Sequence, residues 1–169
     1  MGILNDLLKR VQNVNEGLEQ GGLIHDTVID YGDDIMDLQY LQLFQGLSSS
    51  GEDIRPYYSE DLKPSGYFYT VQAAENYAAW KTELDYPYSV DRNPDAPNLY
   101  INGRFHSELG VEFGSETVAV VPETNYAQTI VDKYGIRTFG LMMTNWMVIF
   151  QERGGYDKLM NNIKEALYV

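Results

Sequence analysis

The sequence predicts an α+β fold: a small, mostly antiparallel sheet with a hairpin, packed by a long N-terminal helix and by C-terminal helices. Three observations carry this expectation. Helical hydrophobic periodicity opens and closes the chain. Two short alternating apolar runs flank a Gly114-Ser115 turn in the middle. The order of elements runs helix, helix, strands, helix, strands, helices, which is not the regular strand–helix alternation of a parallel sheet. The 169 residues, 44% of them hydrophobic, suffice for one cored domain. We expect a helical arm over residues 1–22 and a single α+β domain over residues 23–169.

Residues 3–20 carry Leu4, Leu7, Leu8, Val11, Val14 and Leu18 on one helical stripe, and Gly21-Gly22 ends it. A second, longer helix is expected over residues 23–44. Ile24, Val28, Tyr31, Ile35 and Leu38 form one face of it. Ile29, Met36, Tyr40 and Leu43 form another, so it should be buried on more than one side, with a bend at Gly32. A turn-rich loop follows from Gly46 to Gly51. Residues 53–58 read as a short edge strand containing Pro56. Residues 64–69 read as extended and aromatic. Residues 73–84 read as a helix with Tyr77, Trp80 and Leu84 on one side. Residues 87–97 hold three prolines and read as an irregular loop. Leu99 to Ile101 make a strand fragment ahead of the Asn102-Gly103 turn. The hairpin strands are residues 111–113 and 117–121; apolar residues on both faces of the second imply a sheet covered on both sides. Residues 124–134 form a short helix or turn before Gly135. Thr144 caps a helix through Trp146, Ile149 and Phe150, broken at Gly154-Gly155. In the last helix Tyr156, Leu159, Met160, Ile163 and Leu167 line one stripe.

Composition narrows the function classes. With no cysteine, disulfides and thiolate zinc sites are excluded, which fits assembly in a reducing cytosol. The start is amphipathic and lacks the basic region and long apolar run of a signal peptide. No stretch approaches the roughly 20 apolar residues of a membrane span. A net charge of −13 argues against a nucleic-acid-gripping surface, because phosphate binding depends on Lys and Arg. Excess acid serves solubility, and it also suits a wall past which DNA slides. The 14 tyrosines exceed the 6 phenylalanines, which tilts the reading toward a protein of wet protein–protein contacts. Tyr57, Tyr58, Tyr86 and Tyr88 are the interface candidates.

Machinery for catalysis is not evident in the sequence. His25 and His106 are the two histidines. There is no Gly-x-Ser-x-Gly elbow, no phosphate loop and no dinucleotide fingerprint, and no cofactor is expected. Residues 91–102 begin like a calcium loop with Asp91, Asn93 and Asp95. They end with Ala96 where glycine is needed and Asn102 where a bidentate glutamate is needed. Glu108, Glu112 and Glu116 stand at four-residue spacing, and an acid-pair hydrolase built on Glu108 and Glu112 is one alternative function. Trp80, Tyr86 and Tyr88 are aromatic enough to stack on a sugar, although packing accounts for them more simply. A cytosolic protein-binding adaptor is a further alternative.

Two runs of residues resemble a known kind of protein. The first is Gln42-Leu43-Phe44-Gln45-Gly46, then Gly51-Glu52-Asp53-Ile54, then Pro56-Tyr57-Tyr58-Ser59. The second is residues 97–109, then Thr117-Val118-Ala119-Val120, Tyr126-Ala127, Lys133-Tyr134-Gly135 and Phe139-Gly140-Leu141. In order and spacing they resemble a family of small minor virion proteins of phages and prophages of Bacteroidetes-type hosts. They are also similar to the tail-completion or head–tail connector type. The resemblance implies turns at Gly46, Gly51, Gly103, Gly114, Gly135 and Gly140. It also implies a non-enzymatic ring at the neck or upper tail of a virion, in a connector, tail-completion or tail-terminator role. Partners would be further copies of the chain and other neck, tail or portal-proximal proteins. DNA would be met only in transit, and no membrane is involved. Assembly would take place in the host cytoplasm. In such a ring Glu112, Glu116 and Glu123 are the candidate lumen-facing acids. The helix over residues 3–20 and the proline-rich loop would be elaborations of the family pattern.

Overall fold

The computed structural model describes residues 2–87, 89–114 and 117–168. The chain runs α1 (Gly2–Glu19), α2 (Gly22–Val28), α3 (Gly32–Gln45), α4 (Val71–Thr82), α5 (Arg104–Ser107), β1 (Leu109–Phe113), β2 (Val118–Pro122), α6 (Ala127–Tyr134), α7 (Met143–Met147) and α8 (Gly155–Tyr168). It is a mostly helical α+β protein whose described strands form one antiparallel hairpin. The contacts divide it into two compact units. The first comprises the chain up to Ile35, Val111–Ala119, and the chain from Thr144 onward. The second comprises Met36–Gly110 and Val120–Met143.

In the first unit, α1, α2 and α8 pack on one another. The long stripes at the two ends of the chain therefore meet. The segment expected as an arm, residues 1–22, contains α1. Gly21, with φ +77°, turns the chain between α1 and α2. Arg10 donates to the Leu167 carbonyl at 3.0 Å, and Asn162 donates to the Thr27 hydroxyl at 3.0 Å. Both are cross-helix bonds that fix the register of α8. Lys158 pairs with Asp30 at 2.7 Å, and Arg153 with Asp34. The single helix expected over residues 23–44 is interrupted. A tighter turn at Ile29–Tyr31 separates α2 from α3, so the break precedes Gly32. Gly32 is itself helical and lies under the Phe113 ring, where a Cβ would sit 3.6 Å from ring carbons. The Trp146–Phe150 segment is helical as expected, but it widens into a π turn over Val148–Glu152. Gly155 is buried, and a Cβ there would lie 2.9 Å from the Phe150 Cα.

The second unit has two buried clusters. One joins Leu43 of α3 to Ile54, Phe105, Leu109 and Phe139. The other joins Tyr58 and Phe68 to Ala74 and Ala78 of α4. Helix α3 ends in a Schellman motif: Gly46 (φ +76°) donates to Leu43 O, and Leu47 donates to Gln42 O. A Cβ at Gly46 would stand 3.1 Å from Ala96 Cβ, so the close approach also requires glycine. Gln42 is buried and bonds twice to a distant segment: its amide donates to Gly140 O at 3.0 Å and accepts from Met142 N–H at 2.9 Å.

Several expected elements take other forms. Residues 53–58 are not an edge strand; a single bridge pairs Asp53 with Leu47. Residues 64–69 belong to a compact loop in which Phe68 bonds to Asp61 O and to Lys63 N–H. Gly66 packs against that loop's backbone, where a Cβ would meet Asp61 C at 2.1 Å. Leu99 to Ile101 are not a strand, because Leu99 has φ +55° and leaves the extended region. The hairpin is not covered on both faces: Val120 is buried while Ala119 is exposed. A two-stranded ribbon has no flanking strands to complete a second layer. In α4 the buried face is Ala74, Ala78 and Lys81, with Trp80 exposed. Two alanines let the helix approach the Tyr58–Phe68 rings more closely than a Tyr77–Trp80–Leu84 face would.

Candidate functional site

The second unit holds a partly open pocket of about 350 Å³ whose described lining mixes the aromatic residues Tyr58, Tyr77, Phe105, Tyr126 and Tyr134 with aliphatic and polar ones. Its lining cations are Lys81 and Arg104, with Asn102 beside them. Helix α4 starts at Thr70, whose hydroxyl accepts from Ala73 N–H at 3.1 Å, and this cap sets the helix phase. The phase places Lys81 on the same stripe as Ala74 and Ala78, inside the fold. Lys81 is 1% exposed. Its ammonium donates to the Tyr100 carbonyl, a neutral acceptor. Tyr86 donates to the Lys81 carbonyl and closes the end of α4. No ion pair to Lys81 is present among the described residues. Burial, and secondarily the Arg92 charge, pulls the Lys81 ammonium down from the ordinary lysine range to about 7.

His106 lies beside this arrangement on α5. Its ring stacks on Phe44, centroids 4.6 Å apart and 18° from parallel, and meets Tyr100 edge-on at 5.5 Å. Both its nitrogens are buried without a hydrogen-bond partner. Burial, with the Lys81 charge second, lowers His106 to about 4, so the ring is neutral at pH 7. The arrangement is a buried amine and a neutral imidazole among aromatic rings. It can accept a negative charge, and among the described residues no Asp or Glu lines the pocket.

The residues singled out in the sequence are dispersed. Gly46, Gly51, Gly103, Gly135 and Gly140 all have positive φ, as turns demand, between +76° and +95°. Gly114 does not share that conformation; there a Cβ would meet the Thr117 hydroxyl at 2.5 Å. Glu112 is exposed on β1, and Glu123 is exposed just after β2. Glu116 and Tyr88 lie outside the described residues. Glu108 is held by Arg104 at 2.8 Å and is not part of the cavity wall. Tyr57 donates to Asp53 at 2.6 Å, with the Arg55 guanidinium 3.9 Å above its ring. Tyr58 is a correction: at 6% exposure it belongs to the aromatic core and offers no contact surface. Tyr86 is half-buried against Phe44 and Tyr100. His25 packs edge-on to Phe113 in the first unit. Asn93 and Asp95 brace the loop, through Asp53 at 2.8 Å and the Ser59 N–H at 3.0 Å. Among the described residues no cluster of acids and histidines could hold a metal ion, and no helix is long and apolar enough to cross a membrane.

Lys81 was not singled out in the sequence. A lysine near a helix C-terminus reads as a solvated charge that complements the helix dipole. The available signal was its spacing of seven and three residues from Ala74 and Ala78, which puts it on the small-residue stripe.

Comparison with protein-family models, with curated proteins and with solved structures finds no match for this chain.

Proposed function

We propose that this chain is a structural virion protein of a tailed phage, assembling as a homo-oligomeric ring at the head–tail junction or upper tail. The motif runs 42–59 and 97–141 supply the family reading. The observation that carries the self-assembly part is α1. Its apolar stripe is only partly used within the chain: Val14 is buried, but Leu7, Leu8 and Val11 are 53%, 53% and 50% exposed. Three aliphatic side chains over two adjacent turns of an 18-residue helix, left half in water, are characteristic of a helix completed by a second copy. Burying them gains on the order of 1 kcal/mol each. The exposed Glu112 and Glu123, in a chain of net charge −13, suit a surface past which DNA moves without adhering.

The test is the mass of the particle by light scattering, with negative-stain imaging of its symmetry. The wild-type chain is expected to form a closed oligomer, and a Leu8→Glu, Val11→Glu double variant to be monomeric with an unchanged circular dichroism spectrum. A wild-type chain that stays monomeric at about 100 μM (a concentration at which a 10 μM association would be mostly formed) defeats the reading.

A further inference from the structure

We propose that the cavity beside α4 is a binding site for a small aromatic carboxylate, the carboxylate meeting the Lys81 ammonium and the ring lying against Tyr77, Tyr126 and Tyr134. The proposal goes beyond the assembly role and does not depend on it.

The chain carries 25 acidic residues against 12 lysines and arginines, yet the described lining of the pocket holds Lys81 and Arg104 and no acid. Arg104 is engaged by Glu108. Lys81 is left with one carbonyl for three N–H donors, at 1% exposure. A buried ammonium without a counter-charge is costly, and a fold can retain it where a ligand supplies the charge. The size fits. A space of about 350 Å³ accommodates a one- or two-ring molecule and is at the low end of small-molecule sites. The wall chemistry fits as well: Tyr77, Phe105, Tyr126 and Tyr134 are among the lining residues, and aromatic side chains suit a flat apolar body. A phosphate-bearing ligand is less suited, since a doubly charged group would need more than one free cation.

Around Lys81 the charged side chains are Arg92 and the lining Arg104, the latter paired with Glu108 at 2.8 Å. Arg92 opposes the ammonium, and His106 is neutral at pH 7 and adds no negative charge. Tyr58, Tyr77 and Tyr134 are all raised by burial and stay protonated. Tyr100 contributes its carbonyl, and Tyr86 bonds to the Lys81 carbonyl. A carboxylate would bring a negative charge to a wall whose described lining residues include no acid. Its arrival pulls a proton onto Lys81, so binding above pH 7 takes up a proton and weakens as pH rises.

The probes are 1-naphthoate and its neutral isostere 1-naphthamide, titrated calorimetrically into the full chain and into Lys81→Met. Methionine keeps the volume and removes a buried charge, so the variant is expected to fold; its melting curve verifies this. At pH 6.5 the wild type should bind naphthoate at least about tenfold tighter than naphthamide, and the preference should vanish in Lys81→Met. At pH 8 the heat of binding should depend on the buffer's ionisation enthalpy with the sign of proton uptake. Absence of saturable naphthoate binding at about 5 mM overturns the proposal. So does an acid-over-amide preference that persists in a folded Lys81→Met chain.

Discussion

His106 shows how much stability a single side chain can place at the mercy of pH. Its two buried nitrogens have no partners, and its folded value of about 4 lies below the ordinary 6.5. Between those values the unfolded chain binds a proton that the folded chain refuses, so stability falls as pH drops from about 6.5 toward 4. His106→Phe should keep the stack on Phe44 and remove this dependence. We expect the variant to match or exceed the wild type at pH 7, because an unsatisfied buried polar group costs about 1–3 kcal/mol. Its advantage should grow on acidification. Chemical denaturation at pH 7 and pH 5 measures both; a constant difference between the two pH values would contradict the assigned burial.

At the scale of elements, Gln42 makes a long-range connection that no local pattern encodes. Its amide completes two backbone groups of the Gly140–Met142 segment, as a strand would. Gln42→Leu keeps the bulk but leaves the Met142 N–H and the Gly140 carbonyl without it, and should cost about 1–3 kcal/mol in thermal or denaturant unfolding. Gln42→Glu should be at least as damaging, since it keeps an acceptor for Met142 but buries a charge near Gly140 O. The contrast explains which elements could be read in advance. Helices α1, α4 and α8 and the β1–β2 hairpin follow from side chains a few positions apart, and each was legible. Residues 53–69 and 99–101 were not, because their shape is set by remote partners, whereas the described residues of 87–97 form the irregular loop expected there. Tyr58 N–H donates to Asp95 O at 3.0 Å, Ser59 N–H to the Asp95 carboxylate, and Asn93 to Asp53. Turns were expected at six motif glycines, and five of them have positive φ, a conformation that a single glycine supplies without remote partners. The Lys81 cavity was hidden, since its walls come from α4, α5, α6 and the intervening loop.

At the scale of the whole chain, each compact unit is built from separated segments, the first of them from three. No single cut liberates the first unit intact. Deleting residues 155–169 should therefore unfold α1 and α2 as well, since both pack on α8 and Arg10 and Thr27 lose their bonds to it. The expected result is a loss of helical signal at 222 nm well beyond the share of the deleted residues. A loss limited to that share would show that α1 and α2 stand without α8.

The pairing of α1 with α8 also has a timing. About 135 residues separate the end of one from the start of the other. At roughly 5–20 residues per second of synthesis, the first helix waits on the order of ten seconds for the last. Through that interval α1 has α2 to pack on but not α8, and the side of its apolar stripe that α8 will cover stays open.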